Sequence, residues 1–270
     1  MSAYDAFTGA VLARLDGHVL TVSLNRPDRR NAINGDIHTG LRQIIDLAAI
    51  DDDVRAILLR GEGKAFCAGG DVGTMEGSGT KETPSPALRV RETLDAARMV
   101  EMILSIPQPT VCALHGFAMG LGATIALLCD VVVMAEDAVV ADTHVNIGLV
   151  AGDGGAVIWP LLASLGAVKW YLMTGERITG VEAARLGLVL KAVPAAELEA
   201  EAQKLATRLA QVAPLAAKGT KETLNRVIRD RMHLLLDTGL LLEGATMVSE
   251  DHTEAAQAFL AKRPAVFKGR

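Results

Sequence analysis

The sequence has few aromatic residues, few cysteines and no excess of positive charge. Aromatic side chains make up 3% of the 270 residues, although half of the residues are hydrophobic. The core must therefore be built mainly from Ala, Val, Leu and Ile, and a chain of this length can bury a large core without crosslinks. The net charge of −5 comes without a basic stripe, which argues against nucleic acid as a partner.

The three cysteines, Cys67, Cys112 and Cys129, are widely spaced and lie in apolar runs. Their odd number and their spacing predict reduced, packed thiols, with neither a disulfide framework nor a metal site. Residues 1–7 lack a basic region followed by an apolar one, so we expect no secretory signal. These features together predict a cytoplasmic protein.

One run, residues 110–129, carries no formal charge apart from a protonated His115 and has the length of a membrane span. Glycines divide it into a strand, a turn and a short helix, Asp130 ends it, and no Lys/Arg cluster flanks it. We therefore predict a buried βα unit and no membrane association.

Two glycine-broken segments are the main candidates for a functional site. They are residues 64–71 (KAFCAGGD) and 115–123 (HGFAMGLGA), each after a β-rich apolar run. Glycine lets a ligand approach main-chain N–H groups, and the helix expected after the second segment adds unpaired donors. Two interpretations are open, namely ordinary βα turns or an oxyanion hole that binds one carbonyl oxygen.

Strand patterns alternate with helical ones over most of the chain, and helical patterns alone follow Pro194. Apolar spacing predicts a helix over residues 36–50, and the composition of residues 73–86 is typical of a mobile loop. In the C-terminal part, breaks are expected near Pro214, residues 231–233 and residues 249–252. This order predicts an α/β fold with a C-terminal helical appendage.

The two glycine segments, together with residues 25–33 (NRPDRRNAI), resemble the crotonase, or enoyl-CoA hydratase/isomerase, superfamily in order and spacing. The likeness continues through residues 147–150, 172–176 and 259–264, so it covers nearly the whole chain.

That resemblance implies a crotonase-like spiral of ββα units over residues 1–194, carrying the CoA and oxyanion-hole loops. It implies an all-helical oligomerisation region over residues 195–270 and a homo-oligomer, either a trimer or a dimer of trimers. The implied partner is an acyl-CoA or enoyl-CoA substrate, with no cofactor beyond the coenzyme A that is part of that substrate.

The resemblance also assigns site residues. The main-chain N–H groups of Gly70 and Leu121 would form the oxyanion hole. The residues implied to bind the CoA are Arg29, Arg30, Ala32, Ala68, Gly69 and Asp71. Paired arginines suit phosphate groups, although exposed arginines on a solvated loop are the alternative interpretation.

Hydratases of the family carry two catalytic glutamates where this chain has Thr124 and His144. Hydration needs an acid and a base, and threonine cannot ionise to act as either. Ordinary enoyl-CoA hydratase activity is therefore in doubt. Thr124 either orients a water molecule or packs as a small helix residue.

Two ionisable residues are candidate substitutes. His144 is an acid/base group for neutral pH or a hydrogen-bonded core histidine. Asp153 lies in a loop from which dienoyl-CoA isomerases and a dehalogenase of the superfamily draw an acid; alternatively, it caps a helix beginning near Ala156.

The resemblance and these departures together predict an enzyme that acts on a CoA thioester through an oxyanion-stabilised enolate. It would be a lyase of the hydratase type or an isomerase, in fatty acid metabolism. The alternatives are a hydrolase of a CoA thioester or a C–C bond that uses His144 and Asp153, or a catalytically silent CoA-binding protein.

Overall fold

The computed structural model describes residues 2–71 and 86–270. The strands in these ranges are β1 (Val11–Asp16), β2 (Val19–Leu24), β3 (Ala56–Gly61), β4 (Thr110–Leu114), β5 (Phe117–Met119), β6 (Val131–Ala135), β7 (Val139–Ala141), β8 (Ile178–Thr179) and β9 (Lys191–Val193). Six of them form one sheet in the order β1-β2-β3-β4-β6-β9, in which β1 and β2 are antiparallel and the other neighbours are parallel. Strand β4 is buried at every position, as expected for a parallel strand covered on both faces.

A smaller sheet, in the order β5-β7-β8, stands beside the first. Strands β4 and β6 of the main sheet are each followed at once by a strand of this small sheet, β5 and β7, which pair in parallel. A helix then follows each pair. The repeated strand–strand–helix order is the ββα arrangement that the sequence resemblance implies.

The helices of the described chain are α1 (Gly35–Ala49), α2 (Pro86–Leu104), α3 (Leu121–Leu127), α4 (Gly155–Leu162), α5 (Leu165–Thr174), α6 (Gly180–Leu186), α7 (Leu198–Ala210), α8 (Pro214–Thr246) and α9 (Glu250–Leu260). Helix α1 confirms the helix predicted over residues 36–50, and Asn34 caps it by accepting a hydrogen bond from the N–H of Ile37. The loop predicted over residues 73–86 lies outside the described residues except for Pro86, at which α2 begins.

The C-terminal helices correct one prediction. Helix α8 runs without interruption through residues 231–233, where we expected a break. That stretch contains neither glycine nor proline, and Met232 packs against the core while Arg231 and His233 stay exposed, so the polar residues lie on the solvent face of a continuous helix. The expected break near residues 249–252 is confirmed, since α8 ends at Thr246 and Ser249 caps α9.

Helix α7 belongs to the main hydrophobic core. Its buried residues Leu198, Ala202, Ala206 and Ala210 join the same cluster as the central sheet. Helix α8 packs against this core through Met232 and also on α4, where Leu236 and Leu240 form a smaller cluster with Val157. The division of the chain at residues 194 and 195 stays a prediction.

The three cysteines are free and buried, as predicted. Burial raises the pKa of the Cys67 thiol to about 12, so this sulfur is an unreactive packing group. Among the described residues, no helix combines the length and the apolar character that a membrane crossing requires.

Candidate active site

The two glycine segments lie side by side, as an oxyanion hole requires. Cys67 of the first segment pairs with Ala118 of β5 as in a parallel sheet. The N–H of Cys67 donates to the carbonyl of Phe117 and the N–H of Met119 donates to the carbonyl of Cys67, each at 3.1 Å. Main-chain hydrogen bonds therefore fix the position of one loop relative to the other.

The direction of the Gly70 N–H follows from its neighbours. The N–H of Ile33 donates to the carbonyl of Gly69 at 2.8 Å, and the N–H of Asp71 donates to the carbonyl of Ile33 at 2.9 Å. Gly70 lies between Gly69 and Asp71, the two residues that bond to Ile33. In a β-bridge of this kind, the middle residue directs its own N–H away from the partner strand. Gly70 is exposed, so this donor is accessible to a ligand.

The second candidate donor is close to the first loop. Leu121 is the first residue of α3, whose first N–H groups have no acceptor within the helix. A Cβ placed on Gly69 would lie 2.8 Å from the carbonyl oxygen of Met119 and 3.9 Å from the N atom of Leu121. The backbone beside Gly70 therefore touches the start of α3, and only glycine fits at position 69.

The ionisable centre is the side chain of His144, held between two carboxylates. Asp142 follows β7 directly, and His144 begins a short 3-10 helix over His144–Ile147. Nδ1 of His144 lies 2.6 Å from Oδ1 of Asp142, and Nε2 lies 3.3 Å from Oδ2 of Asp153. All three side chains are almost completely buried.

The charge of His144 follows from these neighbours. Burial by itself lowers the pKa of the imidazole, but the charges of Asp153 and Asp142 and their hydrogen bonds outweigh it and raise the pKa of His144 well above its usual value. At neutral pH the ring is therefore an imidazolium that donates both N–H groups. In that state the ring is an acid, and the group free to accept a proton is the carboxylate of Asp153.

Asp153 does not cap a helix. The N-cap position of α4 is occupied by Gly154, and no side chain makes the capping hydrogen bond there, so the structure excludes the capping interpretation. Oδ1 of Asp153 is buried and has no hydrogen-bond partner within the described ranges. An unpartnered carboxylate oxygen beside a buried imidazolium is suited to proton transfer.

Thr124 lies on α3 against the loop that carries Asp153. A Cβ on Gly154 would lie 2.7 Å from Cγ2 of Thr124, and the hydroxyl oxygen of Thr124 is buried with no partner among the residues that the structure describes. Packing explains its methyl group, but the orphaned hydroxyl leaves a role in orienting water open.

The acid/base groups adjoin the second glycine segment. A Cβ on Gly120 would lie 3.3 Å from Cε1 of His144, and the N–H of Gly120 donates to the carbonyl of Ala141 at 3.0 Å. The imidazolium therefore sits against the residue that precedes Leu121. A group bound by the Leu121 N–H would lie near the His144 and Asp153 pair.

Sequence reasoning missed two residues of this centre, Asp142 and Glu243. Asp142 had a signal, because it lies two residues before His144 and directly after the apolar run 138–141. Glu243 also had a signal, because it lies seven residues after Leu236 and three residues after Leu240. This helical spacing places it on the buried face of α8. The pKa of Glu243 is raised to about 8. Burial is the largest cause, the negative charge of Asp153 adds to the rise, and the positive charge of His144 opposes it.

Asp142, His144 and Asp153 also have the donor types of a cation site, with one ligand atom of each within 4.8 Å of the others. A metal ion would need a lone pair on the imidazole, whereas here both ring nitrogens are bonded to carboxylates. The arrangement fits an acid/base centre better than a metal centre.

The residues implied to bind CoA also come together. Arg29 and Arg30 are exposed at the end of a 3-10 helix over Pro27–Arg29, and the N–H of Ala68 donates to the carbonyl of Arg30 at 3.0 Å. The buried amide of Asn31, a residue that sequence reasoning did not single out, donates to the carbonyls of Glu62 and Ala65. These bonds place the arginine loop against the first glycine segment.

A second tie holds the same two loops. Nη1 of Arg26 donates to the carbonyl of Ala32 at 2.5 Å and lies 2.8 Å from Oδ2 of Asp71. Asp71 is thereby engaged by a protein side chain, and its carboxylate serves to position the loop next to Gly70. His115 makes a further tie between the two glycine segments and their surroundings, with Nε2 3.1 Å from the carbonyl oxygen of Gly63.

Comparison with known proteins gives one consistent result. The family model described as enoyl-CoA hydratase/isomerase matches residues 14–270. The chain is 31% identical to the short-chain-enoyl-CoA hydratase of Clostridium acetobutylicum, over 94% of this chain and 95% of that one. It is 29% identical to the 1,2-epoxyphenylacetyl-CoA isomerase of Escherichia coli, over 96% and 98%.

Among solved structures, an enoyl-CoA hydratase/isomerase from Mycobacterium paratuberculosis superposes with a TM-score of 0.84 at 35% identity, covering 92% of this chain and 97% of that one. The spiral of ββα units and the C-terminal helices therefore form the fold that the sequence resemblance implied. This protein belongs to the enoyl-CoA hydratase/isomerase family, the crotonase superfamily.

Proposed function

We propose that the protein is an enzyme that moves a carbon–carbon double bond in an enoyl-CoA by proton transfer through a stabilised enolate. Family membership supports a CoA thioester as the substrate, because the relatives compared above are named for enoyl-CoA hydration and for isomerisation of a CoA ester. Coenzyme A enters as part of the substrate, and the proposed reaction uses no further cofactor and no metal ion.

The observation that carries the proposal is the contact of Asp153 with His144 beside the start of α3. The main-chain N–H groups of Gly70 and Leu121 would donate to the thioester oxygen as negative charge develops there. Each donor of this kind is worth about 3–4 kcal/mol of transition-state stabilisation. The carboxylate of Asp153 would remove a proton from carbon and return it to a second carbon of the same chain of atoms.

The other two groups of the centre support Asp153. The imidazolium of His144 donates from Nε2 towards the Asp153 carboxylate, and Asp142 fixes the ring through Nδ1. One carboxylate can serve both proton transfers of an isomerisation, whereas hydration also requires a positioned water molecule.

Hydration and dehydration form the second candidate. The orphaned hydroxyl oxygen of Thr124 favours it, since this atom lies buried beside the loop of Asp153 and could orient a water molecule. The hydrolase and the catalytically silent protein are less well supported. Burying three charged groups in contact is costly, which is difficult to explain in a protein that only binds CoA.

The assembly proposed with this function is a trimer or a dimer of trimers in the cytoplasm. Leu234, Leu241 and Leu242 of α8 are exposed by 63%, 72% and 49%, and such apolar surface is typical of subunit contacts. Multi-angle light scattering at micromolar concentration tests the assembly, and a monomer would contradict it.

A panel of 2-enoyl- and 3-enoyl-CoAs with short, long, aromatic and cyclic acyl groups tests the reaction. We expect a 3-enoyl-CoA to gain the absorbance of the conjugated thioester, and the product formed in D₂O to carry deuterium at the carbon that receives the proton. Conjugation without net addition of water identifies an isomerase, and formation of a hydroxyacyl-CoA identifies a hydratase. Release of free CoA alone would contradict both.

A further inference from the structure

Glu243 is a carboxyl group on the apolar face of a helix. It is 7% exposed and shares that face of α8 with the buried Leu236 and Leu240. Glutamate is rarely buried to this extent unless it has a partner or a task. The reaction proposed above does not use this residue.

The main chain of Gly152 is in direct contact with Glu243. The Gly152 N–H donates to the carbonyl of Val150 at 2.8 Å, and Oε2 of Glu243 has no hydrogen-bond partner among the described residues, so Glu243 meets this main chain by close packing. A Cβ on Gly152 would lie 2.6 Å from Oε2 of Glu243 and 2.5 Å from the carbonyl oxygen of Gly239, one turn earlier on α8. Glycine at position 152 thus lets the loop approach α8 closely enough for the Glu243 carboxyl group to pack against it.

The same helix holds the loop at a second point. The N–H of Val150 donates to Oγ1 of Thr246 at 3.2 Å. Thr246 is two turns after Gly239 and three residues after Glu243, so α8 contacts the loop at both Val150 and Gly152. Asp153 is the next residue, and its position relative to His144 depends on these contacts.

We propose that Glu243 is a positioning residue for the reaction: its buried carboxyl group holds the main chain at Gly152 so that Asp153 faces Nε2 of His144. This inference rests on the proposed function, since the proton transfer assigned to Asp153 is what the contact serves. Glu243 does not touch the reacting atoms.

The protonation of Glu243 adds a pH dependence. The pKa of this carboxyl group is raised to about 8, mainly by burial and in addition by the neighbouring negative charges. The charged groups that act on it among the described residues are Asp153, His144 and Asp142. Below pH 8 Glu243 is neutral and packs against the loop without adding charge. Above it, a third negative charge appears beside the carboxylates and opposes formation of the negative enolate.

Two substitutions separate the carboxyl group's shape from its charge. Glu243→Gln keeps the size and shape of the side chain that packs against Gly152 and stays neutral at every pH. Glu243→Ala removes the group that packs against Gly152, and Glu243→Asp takes the place of the alanine variant if that variant does not fold. Asp237→Asn is the matched control, because Asp237 is an exposed acid on the same helix.

We expect Glu243→Gln to retain kcat within about twofold at pH 7 and to stay active above pH 8, where the wild-type protein declines. We expect Glu243→Ala to lower kcat by at least about tenfold with KM changed less than about twofold, because a displaced acid/base group costs turnover more than binding. Asp237→Asn should follow the wild type throughout.

Nitrogen NMR of histidine-labelled protein gives a readout that needs no substrate. In Glu243→Ala the His144 imidazolium should lose its proton at a lower pH than in the wild type, since Asp153 no longer faces Nε2, and in Glu243→Gln it should not. A Glu243→Ala protein with the wild-type kcat and His144 titration would overturn the proposal. So would a Glu243→Gln protein that loses as much activity as Glu243→Ala. If no enoyl-CoA reacts even with the wild type, the proposed function fails, and the NMR titration still decides the role of Glu243.

Discussion

Nδ1 of His144 donates a hydrogen bond to Oδ1 of Asp142 across 2.6 Å, two residues away in the same chain segment. Both side chains are buried, so solvent does not compete with this bond. The contact fixes the ring plane and directs Nε2 at Asp153. Asp142 therefore decides both the orientation of His144 and the position of the other ring proton.

We expect Asp142→Asn to lower kcat by at least about tenfold and to lower the pKa of His144, because a neutral amide stabilises the imidazolium less.

His144→Ala and Asp153→Asn should each lower turnover by at least about a hundredfold. Steady-state kinetics with the best substrate of the enoyl-CoA panel measure these effects. His233→Ala, at an exposed histidine of α8, is the control. Full activity in a His144→Ala, Asp153→Asn double variant would show that the acid/base groups lie elsewhere.

Thr124 should matter much less for isomerisation. We expect Thr124→Val to change its kcat by less than about fivefold and to raise the unfolding temperature, because the substitution removes a buried hydroxyl that has no partner among the described residues. The same variant should lose any hydratase activity if Thr124 orients the water molecule. Equal loss of both activities would mean that Thr124 contributes to a shared step.

The sequence predicted the local parts of this structure better than the contacts between distant parts. Helix α1 and the two glycine segments were predicted because apolar spacing and strand-exit glycines are local signals. The helical spacing of Glu243 indicated burial, but its contact with a loop about ninety residues earlier was missed, because no local pattern reports which segment α8 packs against. The break expected at residues 231–233 was wrong because polar residues without glycine or proline continue a helix on its solvent face.

The first glycine segment offers a test of the oxyanion hole. Gly69 has φ of 92°, in the left-handed region that favours glycine, and a Cβ there would lie 2.8 Å from the carbonyl oxygen of Met119. We expect Gly69→Ala to push the loop away from α3 and to lower kcat by about a hundredfold or more, as for a lost oxyanion donor. Gly166→Ala is the control, since a Cβ there meets nothing within 4 Å. A Gly69→Ala protein with normal kcat would show that the Gly70 N–H is not needed.

Arg29 and Arg30 are expected to act on binding rather than on turnover. Both are exposed, so their attraction to the phosphates of CoA should weaken with salt. The Arg29→Ala, Arg30→Ala double variant should raise KM for the CoA substrate several-fold, leave kcat nearly unchanged and reduce the salt dependence of KM. Arg231→Ala, at an exposed arginine of α8, is the control. An unchanged KM would place the CoA phosphates away from this loop.

The stability of the protein should fall as the pH rises from about 5 to 8, and Glu243 should cause part of the fall. In the unfolded chain its carboxyl group has the ordinary pKa of 4.5, whereas in the folded protein the pKa is about 8. Between these values the unfolded chain has released a proton that the folded protein still holds, so each pH unit shifts the balance towards unfolding by up to about 1.4 kcal/mol. His144 adds to the fall above pH 6.5, because its pKa in the folded protein is also raised.

The Glu243→Gln variant separates the two contributions. Glutamine does not titrate, so this variant should keep the loss due to His144 and lack the loss due to Glu243. Urea unfolding of both proteins at pH 5, 6, 7 and 8 measures the difference in free energy of unfolding, with Asp237→Asn as the control. We expect the variant to become more stable than the wild type as the pH rises, by an amount on the order of a few kcal/mol between pH 5 and 8. A difference that does not change with pH would mean that the Glu243 carboxyl group is already ionised in the folded protein at pH 5.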